Sequence, residues 1–257
     1  MISVLLLGLT PAEGAMKDKK DTSQAAGVPI LLYHRFGPTV SDGMTVTTAV
    51  FESHLRYLKD NGFTVITLSR LVDYCRGKTT TPLPTKAVVI VADDGHKSVY
   101  TDMFPLIKKY RVPVTLFLYP SAISNASYAM TWDQIRDLKK TGLFDLQGHT
   151  YWHPNFKIEK KRLSPPEYDK FVDMQLRKSK GKLEKELGVT INMLAWPFGI
   201  YDEQLEKKAA AAGYLAAFTI ERRPVRPSDK IMELPRYLMI NKDSGKAFAA
   251  IVAGASP

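Results

Sequence analysis

The run Ala87 to Ala92 (AVVIVA) is apolar at every position, so as a strand it must be covered on both faces. Similar runs recur at Val28 to Tyr33 (VPILLY), Pro113 to Leu118 (PVTLFL), Ile191 to Trp196 and Tyr214 to Thr219, with strand-like pieces at Val65-Ile66, Phe144 to Gly148 and Ile231 to Ile240. Stretches of helical period lie between them. Thr48 stands as a cap before Phe51, Leu55 and Leu58, with Asn61 and Gly62 as the stop. Ser69 opens a short helix through Tyr74, and Val99 to Tyr110 reads as another. Thr131 with Gln134 forms a capping box, Ser164 to Glu167 starts a long charged helix, and Glu203 to Ala212 follows. Strand then helix, repeated, demands parallel strands with helices outside. About seven strands predict an α/β fold, a distorted (β/α) barrel rather than a doubly wound sheet, with ligands at the carboxyl ends of the strands.

The chain has 257 residues and one cysteine, Cys75, so it forms no internal disulfide and any metal must be held by histidines and carboxylates. The formal charge of +10 raises the question of nucleic acid. Its densest stretch, Lys157 to Glu186, is interleaved with Glu159, Glu167, Asp169, Asp173, Glu184 and Glu186, the pattern of a solvated helix face, and no nucleic-acid motif accompanies it. Met1 to Leu9 is apolar but far short of the roughly 20 residues that span a bilayer. Followed by small residues up to Ala15, it resembles the tail of a secretory signal, although Glu13 spoils a clean cleavage site. Residues 1–27 are therefore expected to be a remnant signal and disordered lead-in, and residues 28–257 one domain. An exported protein of the periplasm or cell envelope follows, with no stable membrane insertion.

Two strand ends carry chemistry. Ala87 to Ala92 runs into Asp93-Asp94-Gly95-His96, where adjacent carboxylates disfavour each other's ionisation unless a cation relieves them. Asp and Gly are also ordinary turn residues. Phe144 to Gly148 runs into His149-Thr150-Tyr151-Trp152-His153-Pro154, which holds two of the five histidines. Pro154 disfavours helix at His153, so a loop folding both imidazoles around one point is expected. A carboxylate and two imidazoles make three ligands, the number at catalytic zinc, and leave a position open.

The series Asp-Asp-Gly, His-Thr-x-x-His-Pro and Trp196-Pro197-Phe198-Gly199 resembles the polysaccharide deacetylases with a NodB-homology domain. LLYHRF at Leu31 to Phe36 and LPRY at Leu234 to Tyr237 are similar to the branch acting on poly-N-acetylglucosamine, and the likeness runs over roughly Val28 to Ile240. The resemblance implies a NodB-type barrel, Asp94, His149 and His153 as metal ligands, and Asp93 as the general base for hydrolysis of an N-acetyl group. It implies one divalent ion; the donor set suits zinc and also accepts nickel, cobalt or iron. It implies a polysaccharide or oligosaccharide substrate and names no protein partner.

Three departures matter. Nothing after His153 is a histidine, so the proton for the leaving nitrogen must come from Asp93 shuttling, which is favoured, or from His34 or His96. Ala195 and Trp196 stand where an arginine ahead of Pro-x-Gly would orient the base, a task open to Arg236. Ala92 replaces an aromatic ahead of the Asp pair and would leave room beside the metal. His34, Tyr151, Trp152, Trp196, Pro197 and Phe198 are candidate substrate contacts, with Trp132 a possible wall of the groove. His54 reads as surface or packing and Cys75 as an inert thiol. Deacetylation of peptidoglycan, chitin or acetylxylan, or a catalytically weak glycan-binding module of the same fold, are the alternatives.

Overall fold

The structure, a computed structural model, describes residues 27–254. The expected signal and lead-in lie, Gly27 apart, outside them. The order is β1 (Ile30–Tyr33), β2 (Arg35–Gly37), β3 (Thr45–Thr47), α1 (Thr48–Asp60), β4 (Thr64–Val65), α2 (Leu68–Cys75), β5 (Ala87–Asp93), a π-helical turn Val99–Met103 and α3 (Phe104–Tyr110). Then come β6 (Val114–Leu118), α4 (Trp132–Lys140), β7 (Phe144–Gly148), α5 (Phe156–Arg162), α6 (Pro165–Leu187), β8 (Met193–Ala195), a 3-10 turn Pro197–Gly199, α7 (Glu203–Ala211), β9 (Ala216–Phe218), β10 (Tyr237–Leu238) and α8 (Lys246–Val252).

The main sheet runs β10-β1-β5-β6-β7-β8-β9, with β4 beside the first residues of β5, and all of its pairings are parallel. The sheet curls because the segment 231–238 bonds at both of its edges. Ala217 N–H donates to the Ile231 carbonyl, Thr219 N–H to that of Leu234, and three residues later Tyr237 and Leu238 pair with Leu31 and Leu32. This is the predicted distorted (β/α) barrel.

Period-two alternation divides the core. Leu31, Tyr33, Val88, Ile90, Leu116 and Leu146 pack outward against α1, α3, α4 and α6. Ile30, Leu32, Val89, Val91, Phe117, Met193 and Phe218 form the inner set, joined by Leu68, Leu71 and Val72 of α2. Each of these buried apolar side chains contributes about 1.5–3 kcal/mol, which makes the strands the framework of the fold.

Several boundaries differ from expectation. The caps of α1 and α2 are Thr47 and Thr67, each accepting from the N–H three residues on, rather than Thr48 and Ser69. The short parallel pair β2–β3, helix α5 and helix α8 were not foreseen, and β9 and β10 are shorter than their apolar runs. The charged helix α6 does start at a Ser164–Glu167 capping box, and its charges pair along the face, as in Lys180–Glu184 and Lys182–Glu186. His54 is core: its Nε2 donates to the Asp243 carbonyl (2.7 Å), its Nδ1 meets the Tyr33 hydroxyl (2.9 Å), and its ring stacks on Phe248. Burial pushes the Cys75 thiol up to about 11, so it stays protonated. Among the described residues no helix is long and apolar enough to cross a membrane.

Candidate metal centre

Seven strand ends open on one cleft of about 590 Å³, lined among others by His34 after β1, Asp93 and Asp94 at β5, Tyr119 after β6, His149 and His153 after β7, Trp196 after β8, Ile220 after β9 and Leu238 at β10.

Local backbone chemistry aims the ligands. Asp94 (φ 71°) and Gly95 (φ 70°) are consecutive left-handed residues, so β5 turns sharply after Asp93 and both carboxylates line the cleft. A Cβ on Gly95 would stand 2.9 Å from Leu118 Cδ2 and 3.0 Å from Ile123 Cδ1. After β7, Thr150 and His153 are also left-handed, at a cost of about 1–2 kcal/mol each. Helix α6 holds this loop. Gln175 Oε1 accepts from the N–H groups of Tyr151 and Trp152 (3.1 Å each), and Ser179 Oγ donates to the Thr150 carbonyl (2.8 Å). Both side chains are fully buried.

His149 Nδ1 donates to the Ala195 carbonyl (2.7 Å), which fixes the tautomer and leaves the Nε2 lone pair facing the cleft. Nε2 lies 3.6 Å from Asp94 Oδ1, and His153 Nε2 lies 3.8 Å from the same oxygen. Asp94 Oδ1 is buried and has no hydrogen-bond partner among the described residues. Ligand bonds of about 2.0–2.2 Å at a tetrahedral centre separate ligand atoms by about 3.4 Å, so the three groups fit one divalent cation. Burial drives the His149 imidazole down to about 3 and lowers His153, so both are neutral, as ligation requires. Burial raises Asp94, with the neighbouring Asp93 charge adding to it, an imbalance that a cation would reverse.

Asp93 is differently placed. Arg236 grips it with two bonds, Nη1 to Oδ1 at 2.8 Å and Nη2 to Oδ2 at 2.9 Å, while its Nε donates to the Thr219 carbonyl (2.9 Å). Both residues are buried. Burial alone would raise the Asp93 carboxyl, but Arg236, with His149 and His34 beside it, outweighs that and holds it below the usual carboxylate range. A carboxylate kept ionised 3.6 Å from His149 Nε2 stands within reach of a water at the Asp94, His149 and His153 cluster and can take its proton.

The substrate-contact candidates separate. His34 lines the cleft with Nδ1 buried and, among the described residues, unpartnered. Phe198, 55% exposed, stands edge-on to the His153 ring at 4.6 Å. Trp196 lines the cleft floor but is fully buried, with its indole N–H bonded to the Met232 carbonyl, so it has no free face for a sugar. Pro197 is buried at the base of the 3-10 turn, and Tyr151 and Trp152 are not among the lining residues. Lys178 covers the Tyr151 ring and Trp152 packs on Phe171. Trp132 lies outside the cleft as well, and Ala92 is buried in the outer core rather than opening room beside the ligands. Tyr119, Gln175 and the Thr219 carbonyl were missed: their roles come from tertiary contacts, and no local pattern marks them.

The geometry is that of a metal-assisted hydrolase on a barrel. The polysaccharide deacetylase family model matches residues 80–217, and the chain belongs to that family, whose members use a divalent metal. It is 26% identical over 201 residues to a poly-beta-1,6-N-acetyl-D-glucosamine N-deacetylase of Staphylococcus epidermidis, covering 77% of this chain and 68% of that protein. Among solved structures, IcaB from Ammonifex degensii superposes with a TM-score of 0.78 at 25% identity, over 89% of this chain and 97% of that one. The Streptococcus pyogenes deacetylase PplD, in complex with acetate, has the same fold, with a TM-score of 0.78 at 21% identity over 88% and 98% of the two chains.

Proposed function

We propose that the protein is an exported N-deacetylase of poly-N-acetylglucosamine, with residues 28–257 as its single domain. The observation that carries the reading is the Arg236-clamped Asp93 beside the Asp94, His149 and His153 cluster at the mouth of the barrel. The choice of polymer rests on the relatives described above. Asp94, His149 and His153 hold the divalent ion, which the donor set makes zinc first, with nickel, cobalt and iron also accepted. When bound, the ion supplies Lewis acidity to an acetyl carbonyl and a nearby water.

The chain's own groups do the rest. Asp93 takes the proton from the attacking water, a C–O bond forms at the acetyl carbon, and the amide C–N bond breaks to give acetate and a free amine. Arg236 is a positioning residue that keeps Asp93 ionised and oriented. Because that clamp favours the carboxylate, Asp93 gives the proton up again: His34, which lines the same cleft and which burial keeps neutral at rest, receives it and passes it to the leaving nitrogen. Phe198 supplies an apolar wall.

The test is acetate release from β-1,6-linked N-acetylglucosamine oligomers by chelator-stripped and zinc-reloaded protein, with chitin oligomers, peptidoglycan and acetylxylan alongside. Zinc-dependent release, greatest from the β-1,6 oligomers and lost in Asp94→Ala, is expected. Release that is indifferent to chelation and to Asp94→Ala refutes the reading, and oligomer binding without release under saturating metal would establish a binding module.

A further inference from the structure

We propose that His96 and Tyr128 form an aromatic subsite that seats the uncharged face of the N-acetylhexosamine ring next to the one being deacetylated. The proposal rests on the glycan-deacetylase reading above. The two residues come from different strand-exit loops, and the chain zips those loops together. Lys97 N–H donates to the Tyr128 carbonyl (2.8 Å), Met130 N–H to that of Gly95 (2.9 Å), and His96 bridges Ala129. The His96 and Tyr128 rings then lie nearly parallel, 10° apart with centroids at 6.2 Å.

Tyr128 is 41% exposed, and its hydroxyl is already engaged by the Tyr119 hydroxyl at 2.7 Å. What it offers a ligand is therefore ring surface rather than a free polar group, matching the C–H face of a pyranose. Tyr119 also sets the distance. Its buried ring lies 5.5 Å from that of His153 and 6.4 Å from that of His149, so the platform begins one aromatic ring away from the metal ligands, where the adjoining sugar of a polymer falls. His96, Tyr119 and Tyr128 line the same cleft as Asp93 and Asp94. The platform is pre-organised, so little ordering opposes binding.

Tyr128→Ala and Tyr128→Phe are compared with wild type in zinc-loaded protein, using N-acetylglucosamine monosaccharide and its β-1,6-linked pentamer. Acetate release and calorimetric binding of the pentamer are both measured. Tyr128→Ala is expected to raise KM and Kd for the pentamer about tenfold, with kcat and the monosaccharide KM within about twofold, while Tyr128→Phe, which keeps the ring, stays within about threefold of wild type. Equal losses on monosaccharide and pentamer, or none on the pentamer, overturn the subsite. Should wild type release no acetate from either substrate, the deacetylase reading fails, and pentamer binding with and without the Tyr128 ring still decides the subsite.

Discussion

Removing the guanidinium from the Asp93 pair is the sharpest perturbation available. Asp93 and Arg236 are 2% and 0% exposed, so Arg236→Met leaves a buried carboxylate with neither its cation nor its two strongest hydrogen bonds. Breaking a buried pair from one side costs about 3–5 kcal/mol. The Thr219 carbonyl, which accepts from Arg236 Nε, is orphaned in the same step. Against a total stability of about 5–15 kcal/mol this is a large share. With a urea slope of about 2 kcal/mol/M, the midpoint should fall by about 2 M. The measurement is urea unfolding at pH 7 in chelator, so that metal binding does not contribute, on Arg236→Met, Asp93→Asn and the double variant. The double variant, with no buried charge at this position, should recover most of the lost stability while remaining inactive. A loss below about 1 kcal/mol for Arg236→Met, or no recovery in the double variant, would refute the argument. Arg236→Lys adds a kinetic readout. Arg236 holds the Asp93 carboxyl below the usual range against its own burial, so weakening the grip raises that pKa and moves the acid limb of kcat/KM to higher pH.

Burial lowers His54 from 6.5 to about 4, so the fold excludes its charged form. Stability should therefore be intact above about pH 6.5 and fall toward pH 4 by up to about 3 kcal/mol; His54→Phe should show a shallower slope in thermal melts over that window, and an unchanged slope would contradict this. Gly95→Ala forces a methyl to within 2.9–3.0 Å of Leu118 and Ile123 at positive φ. It should cost about 1–3 kcal/mol and weaken zinc binding by calorimetry, while Gly142→Ala, where nothing lies within 4 Å, should leave zinc affinity unchanged. Gln175→Leu strips the buried acceptor from two N–H groups of the His149–His153 loop. Although Gln175 lies on α6, it should lower zinc affinity by about 10–100-fold, and retention of full affinity would show the loop holds itself.

The barrel and the ligand cluster were readable because both are local signals. Strand β5 is apolar from Ala87 to Ala92, and Asp93-Asp94 and His149…His153 each stand at the carboxyl end of a strand. What escaped depends on tertiary partners. Tyr151 and Trp152 lie between the two histidines in sequence, but the left-handed turns at Thr150 and His153 and the grip of Gln175 place them against α6 rather than in the cleft. Trp196, a candidate substrate contact by sequence, is fully buried with its indole N–H on the Met232 carbonyl, a placement set by the returning segment 231–238. Helix α5 hid because FKIEKKR carries one buried apolar residue and no helical stripe. Arg236 could be suggested from its strand end, yet its two-bond grip on Asp93 depends on how segment 231–238 returns to β1.

That return ties the charge of Asp93 to closure of the sheet. The pair that keeps Asp93 ionised joins residues 143 positions apart, one at the end of β5 and one just before β10. Asp93 lacks its counter-charge until the segment carrying Arg236 docks beside β1, so sheet closure and compensation of the buried carboxylate are one high-contact-order event. A chain without Arg236 keeps Asp94, His149 and His153 and still carries an uncompensated buried charge at Asp93, which marks it for unfolding.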